Sequence, residues 1–98
     1  MKKWETPYCG HTIVVENSIS KERLYVDGEL QHENFGLGLR SELRGVIRNA
    51  SADDQPVKVI LGGWFMRCRI FVDNRLVFHS KPDRAAAAAI DEYRKEAR

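Results

Sequence analysis

From His11 onward, apolar and polar residues alternate with a period of two over a series of short runs. Over residues 11–17, Ile13 and Val15 fall on one side and Thr12, Val14 and Glu16 on the other. Leu24 and Val26 then point one way and Tyr25 the other. The clearest run is Leu39 to Arg48. There Leu39, Ser41, Leu43, Gly45 and Ile47 share one face, and Arg40, Glu42, Arg44, Val46 and Arg48 share the opposite one. Val57, Val59 and Leu61 oppose Lys58, and Cys68, Ile70 and Val72 oppose Arg67, Arg69 and Phe71. Finally Leu76 and Phe78 are expected inside, with Arg75, Val77 and His79 outside. Successive side chains of a strand point to opposite faces, so each run predicts a half-buried β-strand. With residues 29–35 as a return strand, the count is about seven. Residues 1–10, punctuated by Pro7 and Gly10, predict an irregular lead-in. Gly36-Leu37-Gly38 predicts a flexible connection and Asn49 to Pro56 a polar loop.

Two of these segments are near copies. Arg23-Leu24-Tyr25-Val26-Asp27-Gly28-Glu29-Leu30 returns as Arg69-Ile70-Phe71-Val72-Asp73-Asn74-Arg75-Leu76. Each is a β-rich run, an Asp-Gly or Asp-Asn turn and a return strand. Gly and Asn tolerate the positive φ that tight hairpins require. Two equivalent hairpins are expected, related by a pseudo-twofold axis.

After Pro82 the period changes. Asp83 is suited to an N-cap, five alanines follow Arg84, and Ala86, Ile90, Tyr93 and Ala97 line up as one narrow apolar stripe. Asp91 and Lys95 form a favourable (i, i+4) pair. This predicts one helix over 83–97. A helix of that length is marginal alone, so its stripe should pack on the sheet or on another copy of the chain. The fold expected is an all-β antiparallel sandwich or partly closed barrel of about seven strands with one C-terminal α-helix. It forms a single domain over 1–98, with its β core at 11–80.

The 98 residues suit one domain with a modest core. A net charge of +2 does not call for a nucleic-acid or membrane partner. The distribution says more. Residues 1–39 hold four Lys/Arg against six Asp/Glu, and residues 40–81 hold eight against four. Any anionic partner should therefore meet the middle of the chain. Cys9 and Cys68 are too few for a secreted disulfide scaffold. No secretory or membrane-spanning apolar run is present. A cytoplasmic protein with two reduced thiols is expected.

The sequence carries no catalytic signature. Cys9, His11, Cys68 and His79 are the reactive residues, but Cys9-Gly10-His11 is too tight for zinc-knuckle spacing and no C-x-x-C occurs. The glycine pairs are not followed by the lysine and helix of a phosphate loop. No metal or cofactor is expected, and Cys68 reads as a small core hydrophobe. The sharper feature is basic: Arg40, Arg44, Arg48, Lys58, Arg67, Arg69 and Arg75 could share a surface, with Tyr25, Trp64 and Phe71 as stacking platforms for a single strand of nucleic acid. Trp64 and Phe65, after Gly62-Gly63, are candidates for a contact hot spot or for a cover over one end of the core.

The order His11-x-Ile13-x-x-Glu16, Leu24-Tyr25-Val26-Asp27-Gly28, Val57-Lys58-Val59-Ile60-Leu61 and Phe71-Val72-Asp73-Asn74 resembles one domain of the Fas apoptotic inhibitory molecule family. The likeness spans residues 11–78. Val15 stands where that family has an aromatic residue, and the C-terminal helix lies outside the likeness. The resemblance implies a compact antiparallel β-sandwich acting as a protein-interaction module, with no catalytic residues to carry over. The function expected is thus a non-enzymatic binding module that self-associates or takes a protein partner. Its contacts would come from Trp64 and Phe65, from the arginines Arg40, Arg44, Arg48, Arg67 and Arg69, or from Ile90 and Tyr93. A nucleic-acid-binding β-domain using the arginine face is the alternative, and a small enzyme the third reading.

Overall fold

The computed structural model describes residues 1–35, 40–49, 52–63 and 66–96. The chain forms two four-stranded antiparallel sheets. The first half contributes β1 (Lys2–Tyr8), β2 (His11–Asn17), β3 (Glu22–Val26) and β4 (Glu29–Asn34), paired in that order. The second half contributes β5 (Arg40–Ile47), β6 (Gln55–Gly62), β7 (Arg67–Val72) and β8 (Arg75–His79), again paired in chain order. One helix, α1 (Arg84–Glu96), follows. No strand pairing joins the sheets among the described residues, so the strands do not close into the barrel offered as one option.

One apolar core draws on both sheets. Ile13, Val15 and Leu24 from the first meet Leu43, Ile47, Val59, Leu61, Cys68 and Ile70 from the second, all fully buried. These are the residues that alternation assigned inward. Burying side chains of this size stabilises the fold by about 1.5–3 kcal/mol each. Gly45 sits where β5 comes closest to the first sheet. A Cβ there would stand 3.0 Å from Leu24 Cδ2 and 3.1 Å from Gln31 Cβ.

The lead-in expected over residues 1–10 is instead strand β1, so the described residues form eight strands where about seven were expected. Cys9 and Gly10 adopt φ of 45° and 83°, a two-residue turn of the type that joins twisted strands. Pro7 is tolerated because β1 is an edge strand and needs no ladder N–H on its free side. The strand expected over 39–48 runs over Arg40–Ile47, and Leu39 and Gly36-Leu37-Gly38 lie outside the described residues.

The two halves repeat each other in register as well as in sequence. Ile13 opposes Val26 as Val57 opposes Val72, Leu24 opposes His32 as Ile70 opposes Phe78, and Arg23 opposes Glu33 as Arg69 opposes His79. Both hairpins slip register at the same place, between Leu24 and Tyr25 and between Ile70 and Phe71. The turn contacts match too. Asp27 Oδ2 lies 2.7 Å from His11 Nδ1, and Gln55 Nε2 donates to Asp73 Oδ2 at 2.7 Å. The slip explains one inverted expectation. Strict alternation puts Leu76 inside and Val77 outside, but the bulge turns Val77 into the core at 2% exposure and leaves Leu76 half-buried beside Phe71.

Helix α1 starts one residue after its cap. The Asp83 carboxylate accepts the Ala86 N–H at 2.8 Å, satisfying one of the free amides of the first turn. Ile90 and Tyr93 are buried, and α1 packs against β8. Tyr93 stacks on Tyr8 with ring centroids 5.5 Å apart. Arg75 of β8 pairs with Glu96 at the helix end. The stripe therefore docks on this chain's own β-structure; Ala97 lies outside the described residues.

Candidate functional site

Strand pairing sorts the expected arginine face into separate groups. On the side of the second sheet turned away from the core, Gly62 lies between Arg40 and Arg67 across three neighbouring strands. In the next row Glu42, Ile60, Arg69 and His79 run across all four strands. Arg40, Ile60, Gly62, Arg67, Arg69 and His79 line one recess of about 350 Å³. Its floor is low between the two arginines because Gly62 carries no side chain. Among the described residues Arg40, Arg67 and Arg69 make no ion pair, whereas the neighbouring acid Glu42 is held by Arg44 Nε at 2.5 Å.

The other members of the expected patch are elsewhere. Arg44 is exposed but occupied by Glu42. Arg48 follows the far end of β5 and lines a small recess beside Asp27 and Glu29 of the first half. Lys58 lies over the Phe71 ring at 4.8 Å, and Arg75 is taken by Glu96. Tyr25 belongs to the first sheet, so it does not flank the arginines of the second. Trp64 and Phe65 lie outside the described residues. Ile90 and Tyr93 are buried as described above.

From the sequence His79 reads as a reactive residue on the outward face of its strand. Its place in the recess needs the β7/β8 register, which the sequence does not print. Its Nδ1 accepts the Lys81 N–H at 3.1 Å, which leaves the proton of the neutral ring on Nε2. Partial burial, then the charge of Arg69 and that of Arg67, pull its pKa below the ordinary histidine value against the opposing pull of Asp83. Burial raises the Cys68 thiol to about 12, which makes it unreactive.

A wider recess of about 430 Å³ lies between the start of β1 and the β7 side, lined by Lys2, Lys3, Trp4, Met66, Arg67 and neighbours. Arg67 belongs to both, so the cationic surface continues from one recess into the next. Among the described residues no group of three or more His, Cys, Asp or Glu is placed to hold a metal ion. No helix among them is long and apolar enough to cross a membrane. No family model, curated protein or solved structure matches this chain.

Proposed function

We propose that this chain is a non-enzymatic binding module that uses the cationic side of its second sheet to hold an anionic segment of a partner protein. The observation that carries the reading is the convergence of Arg40, Arg67 and Arg69 on one recess without a carboxylate among them. Arginine recognises carboxylate and phosphate groups through paired N–H donors, and unpaired guanidiniums gathered on a rigid sheet are pre-organised for that contact. The interaction role implied by the likeness to the Fas apoptotic inhibitory molecule family points the same way. So does a face-to-face sandwich of the two sheets, which a shared core and a shortest extent of 18 Å support.

Single-stranded nucleic acid is the weaker reading. Stacking needs open aromatic faces beside the cations. Phe71 is half-buried and lies under Lys58, and Trp4, in the adjoining cationic recess, is half-buried against the core. The test compares retention of the folded chain and of Arg67→Gln/Arg69→Gln on a poly-glutamate column along a salt gradient. The variant is expected to elute at clearly lower salt with an unchanged circular dichroism spectrum. Equal elution would refute it. Preferential capture of single-stranded oligonucleotide, lost on nuclease treatment, would favour the alternative.

A further inference from the structure

The repeated halves supply an internal comparison for the recess. In the first half the row equivalent to Glu42–Ile60–Arg69–His79 is Lys3–Glu16–Arg23–Glu33. Its central arginine is thus flanked by two acids, and Arg23 Nε donates to Glu33 Oε2 at 2.6 Å. In the second half the flanking positions are Ile60 and His79, and among the described residues Arg69 has no carboxylate partner. A recess also exists at the equivalent place in the first half, lined by Met1, Glu16, Ser18, Lys21 and Arg23. These are the counterparts of Arg40, Ile60, Gly62, Arg67 and Arg69. The first recess measures about 80 Å³ and the second about 350 Å³. One copy is thus small and internally neutralised, while the other is wide and lined by three guanidiniums.

We infer that the second recess is a site for a phosphate monoester, in which the phosphoryl group takes the place that the Glu33 carboxylate fills in the first half. The inference rests on the reading of this face as a binding surface and names its ligand chemistry. Three converging arginines outweigh a single carboxylate, and a phosphate monoester carries about −1.5 to −2 at neutral pH. Its tetrahedral oxygens accept from several guanidinium forks at once. The Nε2–H of neutral His79 adds a donor at the rim. The room beyond the phosphoryl group is taken by the group esterified to it, which is either a side chain of a partner protein or a free small molecule.

The experiment is an amide-resolved NMR titration of the full chain with phenyl phosphate at low ionic strength. Wild type is compared with Arg69→Gln, Arg67→Gln and the first-half control Arg23→Gln. The expected result is movement of the Arg40, Gly62, Arg67, Arg69 and His79 signals. Affinity should fall about tenfold or more on Arg69→Gln, as expected for loss of a charged hydrogen-bond donor, and stay unchanged in Arg23→Gln. Arg67 is exposed, so Arg67→Gln keeps the test valid if Arg69→Gln perturbs the fold. A phosphoserine peptide binding more tightly than phenyl phosphate supports the site with a partner side chain as the source. Equal binding supports it with a free ligand. Phenylacetate binding as well as phenyl phosphate, or shifts that persist in both variants, would overturn the inference. If poly-glutamate engages the face while phenyl phosphate does not, the binding-face reading stands and this inference falls. If neither engages it, both fall.

Discussion

At the scale of single residues, the two halves differ at the positions that set local charge. Glu33 beside Arg23 has its carboxyl held below the usual range by that guanidinium's hydrogen bond, with Lys21 also contributing. His79 opposite Arg69 is instead shifted down by partial burial and by the like charges of Arg69 and Arg67, against Asp83. A histidine with a depressed folded pKa stays neutral while the unfolded chain binds its proton. Its contribution to stability is therefore present above the unfolded value and lost as pH falls through the folded one. We predict that His79 titrates below the ordinary histidine value, that Arg69→Gln raises its midpoint, and that Asp83→Asn lowers it. Two-dimensional NMR of the ring protons across pH 4–8 reads all three. A midpoint unmoved by Arg69→Gln would show that the arginine charge does not reach the ring. The buried pair of equivalents Glu22 and Cys68 shows the same divergence inside the core. Glu22 is 1% exposed, and its Oε1 has no hydrogen-bond partner among the described residues. Leaving such a group buried costs about 1–3 kcal/mol, whereas Cys68 fits the core as an apolar residue.

At the scale of elements, the inward faces of β2, β3, β5, β6 and β7 were legible because simple alternation survives wherever no bulge intervenes. The helix was legible from Asp83 and the Ile90–Tyr93 spacing. β1 was not, because Pro7 and Cys9-Gly10 read as breakers. An edge strand tolerates the first, and a tight turn uses the second. The inversion at Leu76 and Val77 was hidden because a bulge is set by pairing, and the sequence shows only one strand at a time. The recess was half legible: its arginines were named, but the register that separates Arg44 and Arg48 from Arg40, Arg67 and Arg69 was not. Gly45 was placed on the inward face without a reason for being glycine, and the approach of Leu24 and Gln31 supplies one. Gly45→Ala should lower stability by about 1–3 kcal/mol through overpacking. Replacing glycine in a strand removes backbone entropy and would otherwise help by about 0.5–1 kcal/mol. A higher urea midpoint for Gly45→Ala would therefore show that β5 can move away from the first sheet at little cost.

At the scale of the whole molecule, the chain is one four-stranded meander written twice, with a helix capped by Asp83 packed on β8. Both copies share turn contacts, registers and a bulge, so the differences between them stand out against a common frame. The first half carries the acid excess and neutralises its own arginine. The second carries the basic excess, and among the described residues Arg40, Arg67 and Arg69 stand unpaired around a wider recess. The proposed phosphate site rests on that asymmetry. The most direct test returns the missing acid to the second half with His79→Glu, which places a carboxylate opposite Arg69 as Glu33 is placed opposite Arg23. The measurement is the affinity of the folded variant for phenyl phosphate beside that of wild type, at one low ionic strength. The expected result is a loss of about tenfold or more, because the new carboxylate pairs with Arg69 and repels the anion. Unchanged affinity in a variant with a native-like NMR spectrum would contradict it.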